Sequence, residues 1–132
     1  MLAGPRLWRS VVGLRAVTMA AAQTNAFSVA FVTVPDEKTG QSLARSLVEL
    51  KLAACVNIVP GLTSIYEWEG KIEQDPEALM IIKTRASRVD EISKFIRENH
   101  PNEVAEVIAM PIENGNPPYL KWLEGIVPEN IH

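Results

Sequence analysis

A single cysteine, Cys55, stands in 132 residues, so no intrachain disulfide can form and no paired-cysteine clip can hold a metal. A reducing compartment is therefore tolerated. Histidine is nearly as scarce, with His100 and His132 the only two. The chain has no GxGxxG or GxxxxGK[ST] phosphate loop, no GxSxG elbow and no HExxH helix, which leaves nucleotide binding and hydrolytic catalysis without sequence support. No apolar run approaches the roughly 20 residues that a membrane-spanning helix requires. Internal sequence repeats and low-complexity segments are missing as well. Basic charge is also in short supply: of thirteen Lys and Arg, Arg6, Arg9 and Arg15 precede the first acid at Asp36, leaving ten against sixteen acids in the rest. Phosphate backbones are bound by Lys and Arg that release counterions, so an acidic body of this kind argues against nucleic acid.

Acids are wholly lacking from residues 1–26, which carry three arginines and the small-residue run Ala20, Ala21, Ala22. That stretch reads as a leader or a disordered extension, and residues 27–132 as one domain with a modest core. A basic, acid-free leader fits a mitochondrial presequence. The other reading is an extension bypassed by initiation at Met19, which gives a cytoplasmic protein.

Within the body, Phe27 to Val34 is short, β-branched and aromatic, and Pro35 bounds it, as expected of a buried strand. Asp36 offers a helix N-cap, and Leu43, Leu47 and Leu50 recur at spacings of four and three, predicting a helix from Asp36 to Leu52. From Leu52 to Thr84 two long apolar patterns of period two flank a reversal at Gly70 and Lys71, with Pro60 and Gly61 marking a bend or bulge. A hairpin of that length leaves apolar edge that another surface has to cover, which points to subunit assembly. Ser87 and Asp90 resemble a capping box before Val89, Ile92, Phe95 and Ile96, a second helix that Pro101 ends near Asn99. Glu103 to Met110 reads as a further strand. A short last helix is expected from Asn116, with Pro117 in its first turn and Leu120 and Leu123 buried.

Several of these segments recur together in one known family. LAACVNI, SIYEWEGKI, the IKT that closes the second hairpin strand, and the later HPNEVAEV, taken in this order and spacing, resemble the CutA family of divalent-cation-tolerance proteins. The resemblance runs from about Phe27 to about Leu123. It implies an α+β fold, a ferredoxin-like βαββαβ sandwich with a long β-hairpin and a short C-terminal helix, assembled as a homotrimer. It also implies a non-enzymatic role in tolerance of or response to divalent ions, with weak binding of Cu(II) or another divalent cation. Animal proteins of this kind have been associated with processing and anchoring of acetylcholinesterase, so an adaptor for its assembly machinery is an alternative. PII signalling proteins share the trimeric fold, which makes a small-ligand sensor a third reading.

For metal, His100 with Glu103 and Glu106 is the best local group of ligand types, completed by water or a second subunit. The competing reading of His100 is a helix C-terminal residue that donates to a terminal carbonyl. Bacterial members have a proposed ligand cysteine in the first strand, where this chain has Val32. They commonly carry Tyr after His-Pro, where it has Asn102. Cys55, beside Ala53, Ala54 and Val56, reads as a small buried hydrophobe. Tyr66, Trp68, Lys83 and Trp122 are expected around an intersubunit cleft, the aromatics serving as interface anchors or as ligand walls. The acids of the hairpin, among them Glu67, Glu69, Glu73, Asp75 and Glu77, read as solvated charge that protects a sheet end.

Overall fold

The computed structural model describes residues 26–129. The leader reading, apart from Ala26, and His132 lie outside the described residues. The elements run β1 (Phe27–Val34), α1 (Glu37–Glu49), β2 (Cys55–Trp68), β3 (Lys71–Arg85), a 3₁₀ turn (Ala86–Arg88), α2 (Val89–Asn99), β4 (Ile108–Pro111) and α3 (Pro117–Ile126). One four-stranded antiparallel sheet has the order β2-β3-β1-β4. That is the βαββαβ succession expected from the sequence, closed by a short helix.

Alternation along the central strands sorts the sheet into two faces. Ala30, Val32 and Val34 of β1 pair with Ile82, Met80 and Ala78 of β3, and all six are buried. Onto them α1 lays Leu43 and Leu47, and α2 lays Ile92 and Ile96, to make the main core. Helix α1 starts where expected: the Asp36 carboxylate accepts from the Thr39 backbone N–H at 2.7 Å, which holds Asp36 below the usual carboxylate range. It ends at Glu49, short of Leu52, because Lys51 takes a left-handed φ of 59°.

The opposite face is covered at one end only. There α3 packs Leu120 and Leu123, with Val127, against Phe27 and Ala54. Arg85 and Arg88 strap this helix in place by donating to the Glu124, Val127 and Pro128 carbonyls, and Arg85 also pairs with Glu129 at 3.2 Å. Proline at its first turn fits a position whose N–H has no partner within the helix.

The hairpin carries the bulge that Pro60 and Gly61 predicted: the β2–β3 register shifts between Val59 and Leu62, and Gly61 takes φ 77°. At the tip, Glu69 and Gly70 both have positive φ, 52° and 79°, the conformation of a two-residue hairpin turn.

Helix α2 follows a 3₁₀ turn over Ala86–Arg88 that takes in Ser87, and Arg88 at its N-cap makes no side-chain cap bond. Two expectations are corrected. The strand expected over Glu103–Met110 is confined to Ile108–Pro111, which pairs only with Ser28–Phe31. Farther along β1, the Thr33 carbonyl accepts from the His100 ring, a partner that a fourth strand would otherwise have supplied. Cys55 is half-exposed rather than buried, since it lies on the second face opposite Lys83.

Candidate functional site

The register places Val29, Phe31 and Thr33 of β1 beside Lys83, Ile81 and Leu79 of β3 on the face away from the main core. Ile108 and Met110 of β4 extend the same face and remain 58% and 52% exposed. Between α3 and the hairpin, the sheet therefore presents an apolar surface that no element of the described chain covers.

Beyond β1 the hairpin continues alone. Val34 pairs with Ala78, so Lys71–Glu77 of β3 has β2 on one side and, among the described residues, no strand on the other. The segment after α2 runs alongside at a distance, which leaves a groove of about 980 Å³ with Thr33 and Pro35 among its lining. Tyr66, Trp68, Asp75 and Glu77 line it from the hairpin, and Glu103 and Glu106 from the facing segment. Among the described residues, no Lys, Arg or His lines it.

The Tyr66 hydroxyl donates to the Asp75 carboxylate across the strand pair. That bond, with the negative charge around it, pushes the phenol up to about 12. The folded chain thus holds this proton more tightly than the unfolded chain, whose tyrosines titrate near ~10. The bond supports the fold below that value, and its contribution is lost as pH rises through about 12. Tyr119 is also raised, by burial and then by Cys55. In a Tyr119→Phe background, which leaves one of the two tyrosines, ultraviolet titration is expected to give a midpoint near 12. Adding Asp75→Asn should bring it back toward ~10. An unchanged midpoint would contradict the assigned hydrogen bond.

His100 is buried and structural. Its backbone caps α2 by donating to the Ile96 carbonyl. The ring Nδ1 accepts from the Asn102 backbone N–H at 3.0 Å, which puts the proton on Nε2, 2.8 Å from the Thr33 carbonyl. The donation expected of this residue therefore goes to the neighbouring strand and not to its own helix end. With both nitrogens committed, the ring has no free lone pair for a metal. Glu103 and Glu106 are exposed in the groove, and among the described residues no three His, Cys, Asp or Glu side chains come together as a metal site. The ligand set expected at His100, Glu103 and Glu106 is not assembled among the described residues.

The four expected cleft residues fall in two places. Tyr66 and Trp68 line the groove, whereas Lys83 lies roughly 33–40 Å back along the hairpin by strand rise. There its ammonium meets the Asn57 side-chain carbonyl. Trp122 packs against Tyr119 with the rings tilted by 43° and their centroids 5.4 Å apart, on the helix that covers the Phe27 end. The four residues therefore do not meet within the described chain. The sequence reading missed that Asp75 and Glu77 face Glu103 and Glu106. The hairpin acids do alternate in sequence, but the segment opposite them was expected to be a strand.

A sequence profile described as CutA1 divalent ion tolerance protein matches residues 28–125. The chain is 54% identical over 127 residues to the Protein CutA homolog of Xenopus laevis, covering 95% of this chain and 83% of that protein. To Protein CutA of Mus musculus it is 59% identical over 99 residues, covering 75% of this chain and 56% of the mouse protein, so it spans little more than half that relative. The crystal structure of CutA1 from Oryza sativa matches with a TM-score of 0.78 at 49% identity, covering 82% of this chain and 99% of that one.

Proposed function

The chain belongs to the CutA1 divalent ion tolerance family, and from that premise we propose that it is a non-enzymatic, ferredoxin-like homotrimer that binds divalent cations weakly and serves the response to them. The observation that supports assembly is the uncovered sheet face of Val29, Phe31, Leu79, Ile81, Ile108 and Met110, continuous with the free edge of a long hairpin. Large apolar patches and unpaired strand edges on a soluble subunit mark surfaces that bind other chains. A second copy satisfies both at once, and it brings Lys83 and Trp122 of one subunit toward the Tyr66 and Trp68 groove of the next.

Carboxylates of the groove hold the ions in this reading, with Cu(II) as the first candidate and the remaining ligands drawn from water or the neighbouring subunit. His100 keeps its place in the scaffold. Acidic, widely spaced oxygen ligands exchange ions readily, which suits buffering more than storage. A mitochondrial address from the Arg6, Arg9 and Arg15 leader remains part of the proposal, tested by imaging a tagged chain.

Calorimetric titration with Cu(II) and Zn(II) tests the ion reading. Weak binding by the wild type is expected to fall about tenfold in Glu103→Gln/Glu106→Gln, as loss of charged ligands predicts. Binding that survives this double change but disappears in a folded His100→Asn variant would move the site to the histidine.

A further inference from the structure

Among the asparagines of the chain, Asn114 alone is followed by glycine. The pair lies in the irregular connection between β4 and α3, with Asn114 exposed. There the Gly115 N–H is held in neither a ladder nor a helix, and its partner is the Asn114 side-chain carbonyl, 3.0 Å away. A backbone nitrogen and the acyl group that precedes it are thus kept together, and only a rotation of the side chain separates the hydrogen bond from an attack. Glycine adds no side chain to hinder that approach. Other asparagines are placed differently. Asn57 lies in β2, Asn99 lies in α2, and Asn116 precedes Pro117, which has no N–H.

We propose that Asn114 is a site of spontaneous deamidation, and that the isoaspartate formed there loosens α3. The Gly115 nitrogen gives up its proton and attacks Cγ of Asn114. The new N–Cγ bond closes a five-membered succinimide, the Cγ–Nδ2 bond breaks, and the proton returns on the departing nitrogen, which leaves as ammonia. Water then opens the ring at either carbonyl, putting its hydroxyl on that carbon and its proton on the Gly115 nitrogen. Opening at Cγ gives aspartate. Opening at the main-chain carbonyl gives isoaspartate, whose backbone runs through Cβ and Cγ and is one carbon longer. The connection has little slack for that carbon. A Cβ on Gly115 would stand 3.1 Å from Cδ2 of Leu120, which is buried in the α3 cluster. On one side the Ile112 N–H donates to the Phe27 carbonyl at 2.9 Å, and on the other the Asn116 carbonyl accepts from Tyr119 and Leu120 at 2.9 and 3.1 Å to open α3. Aspartate leaves this backbone path unchanged, so the two products act differently on the helix.

The test is prolonged incubation of the full chain at mildly alkaline pH, followed by mass spectrometry and peptide mapping. A gain of one mass unit is expected at Asn114, divided between aspartate and isoaspartate. Asn114→Gln changes an exposed side chain and would need a six-membered ring to close, so the gain at this position should fall at least about tenfold. The isoaspartate fraction, separated by chromatography, is expected to exchange the amide hydrogens of α3 about tenfold faster than Asn114→Asp, which carries the same charge on a backbone of ordinary length. A mass gain spread evenly over the asparagines overturns the proposal. So does the absence of reaction at Asn114 in the folded chain when the urea-unfolded chain reacts there. Equal exchange by the isoaspartate fraction and Asn114→Asp overturns the link to α3.

Discussion

Replacement of Ile81 by lysine is expected to turn the assembled protein into a folded monomer. Ile81 lies at the centre of the open face, between Phe31 of β1 and Asn57 of β2, and its side chain points away from the Met80 and Ile82 side of the strand. In the separate subunit, an ammonium at this position reaches water beside its neighbours, so the main core is untouched. In an assembly built on this face it is an unpaired charge placed in an apolar contact, repeated in every subunit. Such a group costs several kcal/mol after relaxation, which raises the dissociation constant by roughly a thousandfold or more. Circular dichroism should show the same secondary structure, while the mass falls to that of one chain. Retention of the full mass by the variant would mean that subunits meet elsewhere.

Truncation on the other face acts on the fold itself. Ile96→Ala is expected to destabilise the subunit by about 2–5 kcal/mol, because Ile96 is fully buried on α2 within the cluster that contains Leu47 and Met80. For a domain of this size that lowers the melting temperature by roughly 10–25 °C at fixed protein concentration. Ile108→Ala removes the same atoms from a side chain 58% exposed in the subunit. Its effect on an Ile81→Lys monomer should stay below about 1 kcal/mol. Thermal melts of Ile96→Ala and Ile108→Ala in that monomeric background check both halves, and equal losses would mean that the open face is already packed within one subunit.

Much of the architecture was legible because local pattern and tertiary fate agree. The apolar run of β1 is buried, Asp36 caps α1, Pro60 and Gly61 sit at the register shift, and Pro117 opens α3 over Leu120 and Leu123. Pattern failed where a distant partner decides the outcome. Glu103–Val107 alternates like a strand, yet β1 offers β4 only Ser28–Phe31, and His100 occupies the Thr33 carbonyl next along the edge. His100 itself was readable as a residue of importance, but whether its nitrogens face a metal or the backbone depends on Thr33, a contact 67 positions away in the chain. The groove was half legible. Its aromatics and acids were each noted, but their meeting depends on how far the hairpin outruns β1, which is fixed by where β1 stops and the bulge resets the register.

Assembly connects the uncovered face, the free hairpin edge and the separation of Tyr66 and Trp68 from Lys83 and Trp122, so the mass of the protein in solution is the most direct test. Light scattering coupled to size exclusion is predicted to return three times the 14.6 kDa mass of the chain. A value of 14.6 kDa, held up to high protein concentration, would contradict the account.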